Sequence, residues 1–461
     1  MMDAYLFIDF GSTFTKLTLV DIEREEIIAT EKAYTTVETD VTIGYDKALK
    51  KLKEKVAVEY NITNKLACSS AAGGLKIIAI GFVPELTSEA AKRAALGAGA
   101  KVIKTYSFKL NESELEEIKN SNADIILLSG GTDGGNSETI IHNAEMINKF
   151  NLKIPVVVAG NKSCDDEIKS IFGDNIEYHI TENTMPNLNH INVDPARETI
   201  RNIFMEKIVH AKGMENVEDS ISGILMPTPA SVLKAAEVLS MGSRDEEGIG
   251  DLAVLDIGGA TTDVHSIADG HPTNAGIFLR GLEEPHSKRT VEGDLGMRYS
   301  AISVFEAAGA KTIKKYLKYD DLDIEEEVNN RNTNTSFVAI DEKEIDFDEA
   351  MAKVCANISM KRHAGFLDTV YSPLGNIHTQ EGKDLMKLPY LLGTGGVIVN
   401  SRNPKDILSA ATFTMEDPTS LKPREPKILL DKEYILSAMG LLAMVNANMA
   451  VRMLKKYIVE I

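Results

Sequence analysis

The chain has 461 residues, and at about 150 residues per domain this length predicts two or three domains. Hydrophobic residues make up 43% and charged residues 26%, an ordinary globular composition that argues against a disordered chain or a coiled-coil rod. The net charge of −19 disfavours nucleic acid and anionic membranes as partners. Three widely spaced cysteines give no disulfide framework, so a cytoplasmic protein is expected.

Neither end of the chain predicts a membrane segment. The first residues include an early Asp3 and no basic stretch, so we expect no signal peptide. The most membrane-like run, at 435–451, is shorter than the roughly 20 apolar residues of a spanning helix. Its alanine, glycine and methionine content predicts one tightly packed core helix.

The beginning of the chain predicts a β-hairpin. An apolar run at 5–9 ends in Asp-Phe-Gly, the turn Gly11-Ser12-Thr13 follows, and a second apolar run covers 17–20. We assign residues 1–65 to a first lobe that contains this hairpin.

Residues 66–200 alternate between short apolar runs and amphipathic stretches. Such alternation predicts parallel strands joined by helices that cover both faces of the sheet. We therefore expect an additional α/β module, either inserted into the first lobe or part of it. The remaining predicted segments are a helical connection at 201–250, a second lobe at 251–400, and a C-terminal segment at 401–461 that packs back on the lobes.

One long-range internal echo relates the two predicted lobes. The stretch 7–16 aligns with 254–263 and places Asp9 on Asp256. Both stretches have an apolar strand that ends in Asp-x-Gly, a turn of small residues, and a second apolar strand. Two similar lobes that each carry the same hairpin would explain the echo.

Each hairpin has the composition of a phosphate-binding turn. Glycines and hydroxyl residues in a tight turn leave backbone N–H groups pointing the same way, and such a nest binds phosphate oxygens. Either hairpin alone could equally be a solvent-facing turn, and Lys16 could neutralise phosphate or point outward. The candidate nucleotide-binding residues of the hairpins are Gly11, Ser12, Thr13, Thr15, Lys16, Gly258, Gly259, Ala260, Thr261 and Thr262.

An aspartate stands at the end of the first strand of each hairpin. Mg²⁺ takes one or two carboxylates, keeps several waters and binds phosphates. If the hairpins grip a nucleotide from two sides, Asp9 and Asp256 are the expected metal and catalytic residues.

A third glycine motif lies at 391–398. It predicts a strand followed by a turn made of Gly393, Thr394, Gly395 and Gly396. The last two glycines would let the backbone pass close to the ribose or α-phosphate of adenosine, although the motif taken alone favours an ordinary strand-to-helix turn.

A separate glycine-rich loop follows the predicted strand at 125–128. Its glycine spacing is similar to that of a Walker A loop, but Asn136 stands where lysine is required, which disfavours a P-loop ATPase. The loop could form an extra wall of the nucleotide site or contact a client's cofactor, or it could be a plain turn capped by Ser137. Its candidate residues are Gly130, Gly131, Thr132 and Asp133.

These motifs resemble those of a known superfamily. In their order along the chain they look like the phosphate-1, phosphate-2 and adenosine motifs of the actin, sugar kinase and heat-shock chaperone ATPases. A closer resemblance is to the MutL-type (GlmL) accessory proteins of adenosylcobalamin-dependent glutamate mutase (methylaspartate mutase). The stretches that carry it are IDFGSTFTK, LLSGGTDGGNSE, VLDIGGATTDVHS, RTVEGDLGMR and LLGTGGVIV.

The resemblance implies an α/β, actin-like (ribonuclease H-like) two-lobed ATPase fold with an additional α/β module. It implies ATP/ADP and Mg²⁺ as ligands and an adenosylcobalamin-dependent mutase, in the first place glutamate mutase, as partner. The implied activity is that of a reactivating factor, which hydrolyses ATP slowly and releases damaged cobalamin. The oligomeric state stays open, and a homo-oligomer is compatible with the sequence.

The resemblance also singles out two acidic residues and the α/β module. Glu292 and Asp294 could orient water or metal, or they could simply form an acidic turn before a helix. The module at 66–200 could imitate the cobalamin-binding subunit of a mutase. It has no D-x-H-x-x-G motif, so we expect no direct cobalt ligand from it.

Two other functions remain as alternatives. A small-molecule kinase of the same superfamily would need an acceptor pocket with a catalytic aspartate, and no acceptor signature is recognisable. An actin-like filament protein would polymerise with nucleotide.

Overall fold

Two compact units divide the chain. The computed structural model describes residues 2–11, 14–35, 41–56, 58–70, 75–209, 225–319, 321–372 and 375–461. The first unit comprises Met1–Ser231 and Gly281–Glu283, and the second comprises Val232–Arg280 and Glu284–Ile461.

The described residues form the following strands and helices. The strands are β1 (Met2–Phe10), β2 (Phe14–Asp21), β3 (Glu26–Tyr34), β4 (Tyr60–Ser69), β5 (Lys76–Gly81), β6 (Lys101–Ser107), β7 (Ile125–Leu128), β8 (Val156–Val158), β9 (Tyr178–Ile180), β10 (Leu225–Pro227), β11 (Leu252–Ile257), β12 (Thr262–Ile267), β13 (Ile277–Leu279), β14 (Ser287–Glu292), β15 (Phe366–Ser372), β16 (Gly375–Glu381), β17 (Tyr390–Thr394), β18 (Lys427–Asp431) and β19 (Ile458–Glu460). The α-helices are α1 (Val41–Lys55), α2 (Glu89–Gly97), α3 (Glu112–Asn120), α4 (Glu138–Lys149), α5 (Asp165–Phe172), α6 (Asp194–Val209), α7 (Thr228–Met241), α8 (Ala301–Tyr316), α9 (Ile324–Thr333), α10 (Glu342–His363), α11 (Gly396–Val399), α12 (Pro404–Ser409), α13 (Leu436–Val445) and α14 (Ala447–Tyr457).

The first unit begins with a mixed five-stranded sheet in the order β10-β4-β1-β2-β3. β1 and β2 form the predicted antiparallel hairpin, β3 extends it, and β4 and β10 run parallel to β1. Alternate residues of β1, namely Leu6, Ile8 and Phe10, are buried with Ala48 and Leu52 of α1. The period-2 pattern of the strand therefore places its apolar face on the helix.

An all-parallel module interrupts this sheet. Its strands have the order β6-β5-β7-β8-β9, which is typical of doubly wound folds. Ile78 and Ile80 of β5 pack in a cluster with α3, α4 and α5, whereas Ile77 and Ala79 pack with α2 and α6. Helices thus cover both faces, as the alternating sequence predicts.

The module is inserted between two adjacent strands of the first sheet. β4 pairs with β1, so the boundary predicted between residues 65 and 66 falls inside β4. The chain then builds the module and returns at β10, which lies beside β4 and pairs Leu225 with Ala67.

The second unit has a six-stranded sheet in the order β14-β12-β11-β17-β18-β19. β11 and β12 form an antiparallel hairpin, β14 extends it, and β17 and β18 run parallel to β11. Apart from β19, this arrangement repeats the first sheet strand for strand. The internal echo therefore reflects two lobes with the same topology, as predicted.

The C-terminal apolar run differs from its prediction. The run at 435–451 was expected to form one helix, but the chain forms α13 and α14 with a break at Asn446. The Asn446 side chain accepts a hydrogen bond from Met449 N at 3.1 Å and so begins a second helix. Among the described helices, none combines the length and apolarity that crossing a bilayer requires.

Candidate functional site

The first hairpin joins β1 to β2 through a tight turn. Gly11 N donates to Phe14 O at 3.1 Å, and a Cβ atom on Gly11 would lie 2.6 Å from that oxygen, so the turn requires glycine. Ser12 and Thr13, the predicted phosphate contacts, lie outside the described residues.

Asp9 is the second-last residue of β1, and only 7% of its surface is exposed. Thr228 Oγ1 donates to Asp9 Oδ1 at 2.7 Å, and Lys16 Nζ lies 3.8 Å from Oδ2. Lys16 therefore turns toward the carboxylate instead of pointing outward. On β4, Cys68 pairs with Asp9 and is fully buried, and burial together with the Asp9 charge raises the pKa of its thiol well above the usual value.

The second hairpin presents a row of backbone donors. Its turn closes like the first, with Gly258 N donating to Thr261 O at 2.9 Å. The N–H groups of Gly259, Ala260 and Thr261 have no hydrogen-bond partner within the described part of the chain. Consecutive free amides in a tight turn form a concave anion-binding nest.

The segment that follows β14 holds this nest in place. It donates to three carbonyl groups of the turn, through Met297 N to Gly258 O (3.1 Å), Arg298 N and Tyr299 N to Gly259 O (2.8 and 3.0 Å), and Ser300 Oγ to Ala260 O (2.7 Å). Each carbonyl shares a planar trans peptide with the next N–H, which points the opposite way. Fixing the carbonyls on one side therefore directs the free amides to the other side.

Asp256 lies against the third glycine motif. Gly395 has φ of +94°, and a Cβ atom there would lie 2.7 Å from Asp256 Oδ1 and 2.5 Å from Ile257 O. β17 pairs with β11 and places Thr394 beside Asp256. The structure thus brings the second hairpin and the predicted adenosine motif together. Gly396 has open space around its Cα.

Other predicted residues are engaged inside the fold. Gly393 is a packing position, because a Cβ atom there would lie 2.6 Å from the Leu408 side chain. Several predicted nucleotide-binding hydroxyls take part in internal hydrogen bonds. These bonds are Thr15 Oγ1 with Thr35 Oγ1 (3.0 Å), Thr261 Oγ1 to Asp263 Oδ2 (3.2 Å), Thr262 Oγ1 to Leu295 O (2.5 Å) and Thr394 Oγ1 to Asp431 Oδ2 (3.0 Å).

The acidic candidates beside the second hairpin share an arginine that the sequence did not reveal. Glu292 pairs with Thr262 across β14 and β12. Arg362, near the end of α10, donates to Glu292 Oε2 at 2.7 Å and to both oxygens of Asp294 at 2.7 and 2.9 Å. These carboxylates raise the pKa of Arg362, so its charge is fixed. Glu292 and Asp294 thus form an arginine-bound pair next to the turn.

The glycine-rich loop of the module follows β7 and closes on its own framework. Gly130 and Gly131 are buried with positive φ, and Thr132 O accepts from Gly135 N at 2.9 Å. Asp133 Oδ1 accepts from Asn183 Nδ2 at 2.9 Å. The loop belongs to the parallel module and is built separately from both hairpins.

The carboxylates at the two hairpins suit a Mg²⁺ ion that keeps water molecules in its coordination shell. Within the described residues, no group of three or more His, Cys, Asp and Glu could hold a metal ion. Mg²⁺ needs only one or two carboxylates when phosphates and water complete its shell. Asp9 and the half-buried Asp256, each at the end of a strand beside a glycine turn, fit that requirement.

Comparison with known proteins settles the family. The family model described as "MutL protein" matches residues 5–458. Protein MutL of Clostridium tetanomorphum is 60% identical over 462 residues, which cover 100% of both chains. The chain belongs to the MutL protein family.

Solved structures with a similar arrangement are more distant. An activator of 2-hydroxyisocaproyl-CoA dehydratase from Clostridium difficile, with bound ADPNP, is 13% identical, with 98% of this chain and 97% of that chain covered and a TM-score of 0.32. Gluconate kinase from Lactobacillus acidophilus is 12% identical, with 100% and 93% covered and a TM-score of 0.36. The α/β fold of this MutL family member, with two sheets of the same strand order, rests on the topology described above.

Proposed function

We propose that this protein is an ATP-dependent reactivating factor for an adenosylcobalamin-dependent mutase, with glutamate mutase as the client. In this proposal the protein hydrolyses ATP slowly and uses the resulting conformational change to release damaged cobalamin from the inactive enzyme. Membership of the MutL family and two lobes of the same topology support an ATP-dependent accessory role.

One observation carries the nucleotide-binding part of the proposal. The amides of Gly259, Ala260 and Thr261 are free within the described residues, while the carbonyls on the other side of the turn are held by 297–300. A nest of this kind binds phosphate without a cationic side chain. This suits a protein with a net charge of −19, which would otherwise repel ATP.

The remaining candidates take complementary roles. Asp9 and Asp256 hold Mg²⁺, each through its carboxylate or through bound water. Mg²⁺, when bound, neutralises charge on the phosphate oxygens. Gly395 and Gly396 let the backbone approach the adenosine part of the nucleotide. In hydrolysis, water attacks the γ-phosphorus, the bond from the γ-phosphorus to the bridging oxygen of ADP breaks, and ADP, inorganic phosphate and a proton are released.

Glu292 and Asp294 act together with Arg362 in this proposal. The guanidinium of Arg362 forms a two-point contact with Asp294 and a third contact with Glu292, which fixes both carboxylates beside the second hairpin. A carboxylate held this way can orient a water molecule. The arginine also screens the acidic pair from the phosphates nearby.

We propose that the parallel α/β module binds the client mutase. Phe108, at the carboxyl end of β6, is 55% exposed and adopts φ of +66°, a conformation that is rare for a bulky residue. Its ring contacts Phe82 edge to face at 6.5 Å, and Phe82 lies beside Gly130 of the glycine-rich loop. Exposed aromatic groups in strained backbone are typical of binding surfaces.

A reactivation assay tests the main proposal. Glutamate mutase carrying a damaged cobalamin is mixed with the protein, ATP and Mg²⁺, and recovered mutase activity and free corrinoid are measured. We expect both to rise only when ATP is present. ATP-independent results or no release would refute the reactivating role, phosphorylated metabolite would favour a kinase, and sedimentable polymer would favour a filament protein.

A matched pair of variants tests the assigned chemistry. Asp256→Asn removes the charge of the proposed metal residue and is expected to abolish ATP turnover. Asp251→Asn makes the same change at an exposed position just before β11 and should leave turnover unchanged. Equal turnover in the two variants would contradict the metal role of Asp256.

A second variant separates client binding from ATP chemistry. Phe108→Asn removes the exposed ring and suits a positive φ, so the fold should not be harmed. We expect weaker binding to purified mutase subunits, measured by titration, with unchanged ATP turnover. Unchanged mutase binding would exclude this edge of the module as the docking surface.

A further inference from the structure

Three strands of the first sheet bring distant residues to one place. β10 runs parallel to β4 and pairs Met226 with Cys68, and β4 runs parallel to β1 and pairs Cys68 with Asp9. The carboxyl ends of these strands therefore lie along one edge. Thr228 follows β10 directly and so reaches the carboxylate at the end of β1.

The backbone around Thr228 is unusually constrained. Pro227 precedes it and Pro229 follows it at the start of α7, and each proline fixes its own φ near −65°. Threonine is itself branched at Cβ, which restricts its side chain. The hydroxyl is thus placed with little conformational freedom to lose. Its hydrogen bond to Asp9 Oδ1, at 2.7 Å, has the length of a good O–H···O⁻ contact, and the Cys68 thiol is hydrogen-bonded with both side chains.

The two oxygens of Asp9 have different neighbours. Oδ1 accepts the Thr228 hydroxyl, while Oδ2 lies 3.8 Å from Lys16 Nζ. A carboxylate that is gripped at one oxygen cannot rotate freely about its Cβ–Cγ bond. The Thr228 hydroxyl therefore limits rotation of the Asp9 carboxylate and helps to set the orientation in which it meets a further ligand.

We propose that Thr228 is a positioning residue of the nucleotide site, whose hydroxyl fixes the Asp9 carboxylate in the orientation that receives Mg²⁺ bound to ATP. The inference rests on the proposed function, because it concerns the same Asp9. Residues that orient a metal-binding carboxylate commonly change metal affinity about 10- to 100-fold when they are removed. Thr228 itself does not touch the metal or the nucleotide.

Two substitutions at one position test the inference. Thr228→Val keeps the shape of the side chain and removes the hydroxyl, while Thr228→Ser restores a hydroxyl. We expect Thr228→Val to need about tenfold more Mg²⁺ for half-maximal ATP turnover, with Thr228→Ser close to wild type. ADP affinity in the presence of EDTA should be the same in all three proteins, because only the metal-dependent step is changed.

Controls distinguish positioning from a structural role. Thr63→Val removes another hydroxyl from the same sheet, one that donates to Ala4 O at 3.4 Å, and should leave the Mg²⁺ requirement unchanged. If Thr228→Val lowers the melting temperature and weakens metal-free ADP binding as well, its role is structural and the inference is wrong. Titration of a nonhydrolysable ATP analogue with Mn²⁺ supplies a second readout that is independent of turnover.

The outcomes also separate this inference from the proposed function. Wild-type protein that binds no nucleotide overturns both. Wild-type protein that binds nucleotide with Mg²⁺ while Thr228→Val behaves identically overturns only the role of Thr228. A Thr228→Ser protein as impaired as Thr228→Val would show that a hydroxyl at this position is not sufficient, and it would overturn the role assigned to the hydroxyl.

Discussion

Two adjacent glycines of the third motif differ sharply in their surroundings. Gly395 has positive φ and sits against Asp256 and Ile257, whereas a Cβ atom on Gly396 would meet nothing within 4 Å. We expect Gly395→Ala to lower the free energy of unfolding by about 1–3 kcal/mol, because it adds backbone strain and a steric overlap. Gly396→Ala should change it by less than about 0.5 kcal/mol. Urea unfolding followed by circular dichroism measures both.

Variants of the same two glycines also test where the adenosine part of the nucleotide binds. If adenosine passes close to this turn, Gly396→Ala is expected to weaken ATP binding although the protein is fully stable. An alanine at Gly396 that leaves both stability and ATP affinity unchanged would place the nucleotide elsewhere.

Arg362 offers a second test at the residue scale. Arg362→Gln leaves Glu292 and Asp294 without their cation, beside the amides of the second hairpin. Removing the guanidinium makes the local charge more negative and strengthens repulsion of phosphate, so we expect ATP affinity to fall about three- to tenfold, measured by titration calorimetry. Arg402→Gln breaks an exposed pair with Glu342 and serves as the matched control. Tighter ATP binding by Arg362→Gln would contradict this account.

The sequence predicts the local residues of the site better than the distant ones. The Asp-x-Gly echo predicts Asp9 and Asp256 because each belongs to a short contiguous pattern. Thr228 and Arg362 carry no pattern of their own. Thr228 is separated from Asp9 by 219 residues and Arg362 from Asp294 by 68, and only the tertiary fold brings them together, through strand order for Thr228 and through the packing of α10 for Arg362. The internal bonds of Thr15 and Thr262 were missed because a turn motif does not show which side a hydroxyl faces.

At the scale of elements, β12 carries a buried histidine with no hydrogen bond. His265 is fully buried, and neither ring nitrogen has a hydrogen-bond partner among the described residues. Burial lowers its pKa from 6.5 to about 3, with Asp263 acting in the opposite direction and Arg289 in the same direction. His265 is therefore neutral in the folded protein at pH values where it is charged in the unfolded chain.

This difference predicts acid sensitivity. Between pH 6.5 and about 3 the unfolded state binds a proton that the folded state does not, so stability is lost as the pH falls through this window. At pH 5 the loss from His265 amounts to about 2 kcal/mol. We expect His265→Phe to reduce by about this amount the difference in unfolding free energy between pH 7 and pH 5. His190→Phe, at an exposed position, should keep the wild-type difference.

Elements were predictable where hydrophobic periodicity is regular. The two hairpins and the alternating module follow from period-2 runs and amphipathic stretches. The prediction of one helix at the C-terminal run was wrong because the run is apolar on all sides, so its periodicity does not locate the break. The break depends on the cap formed by Asn446. The assignment of β4 to the first sheet was missed because strand pairing between distant segments leaves no local signal.

For the whole molecule, the excess of acidic residues affects the rate at which nucleotide associates with the protein. A net charge of −19 repels Mg·ATP at long range, while the proposed nest attracts it only at short range. Raising NaCl from 20 to 200 mM should therefore increase the association rate of a fluorescent ATP analogue about two- to fivefold, as measured by stopped flow. A rate that falls with salt would indicate a cationic path to the site and would argue against binding mainly by backbone amides.

The insertion of the module between β4 and β10 has a consequence for synthesis on the ribosome. β10 covers one edge of β4 and pairs Leu225 with Ala67. This pairing cannot form until Leu225 has been translated, long after Ala67. At about 5–20 residues per second this delay is roughly 10 to 30 s, during which that edge of β4 has no partner strand. An uncovered edge can pair with another nascent chain. Rapid folding of the intervening module, whose strands are joined by helical crossovers within the module, would shield the edge and protect the yield of native protein.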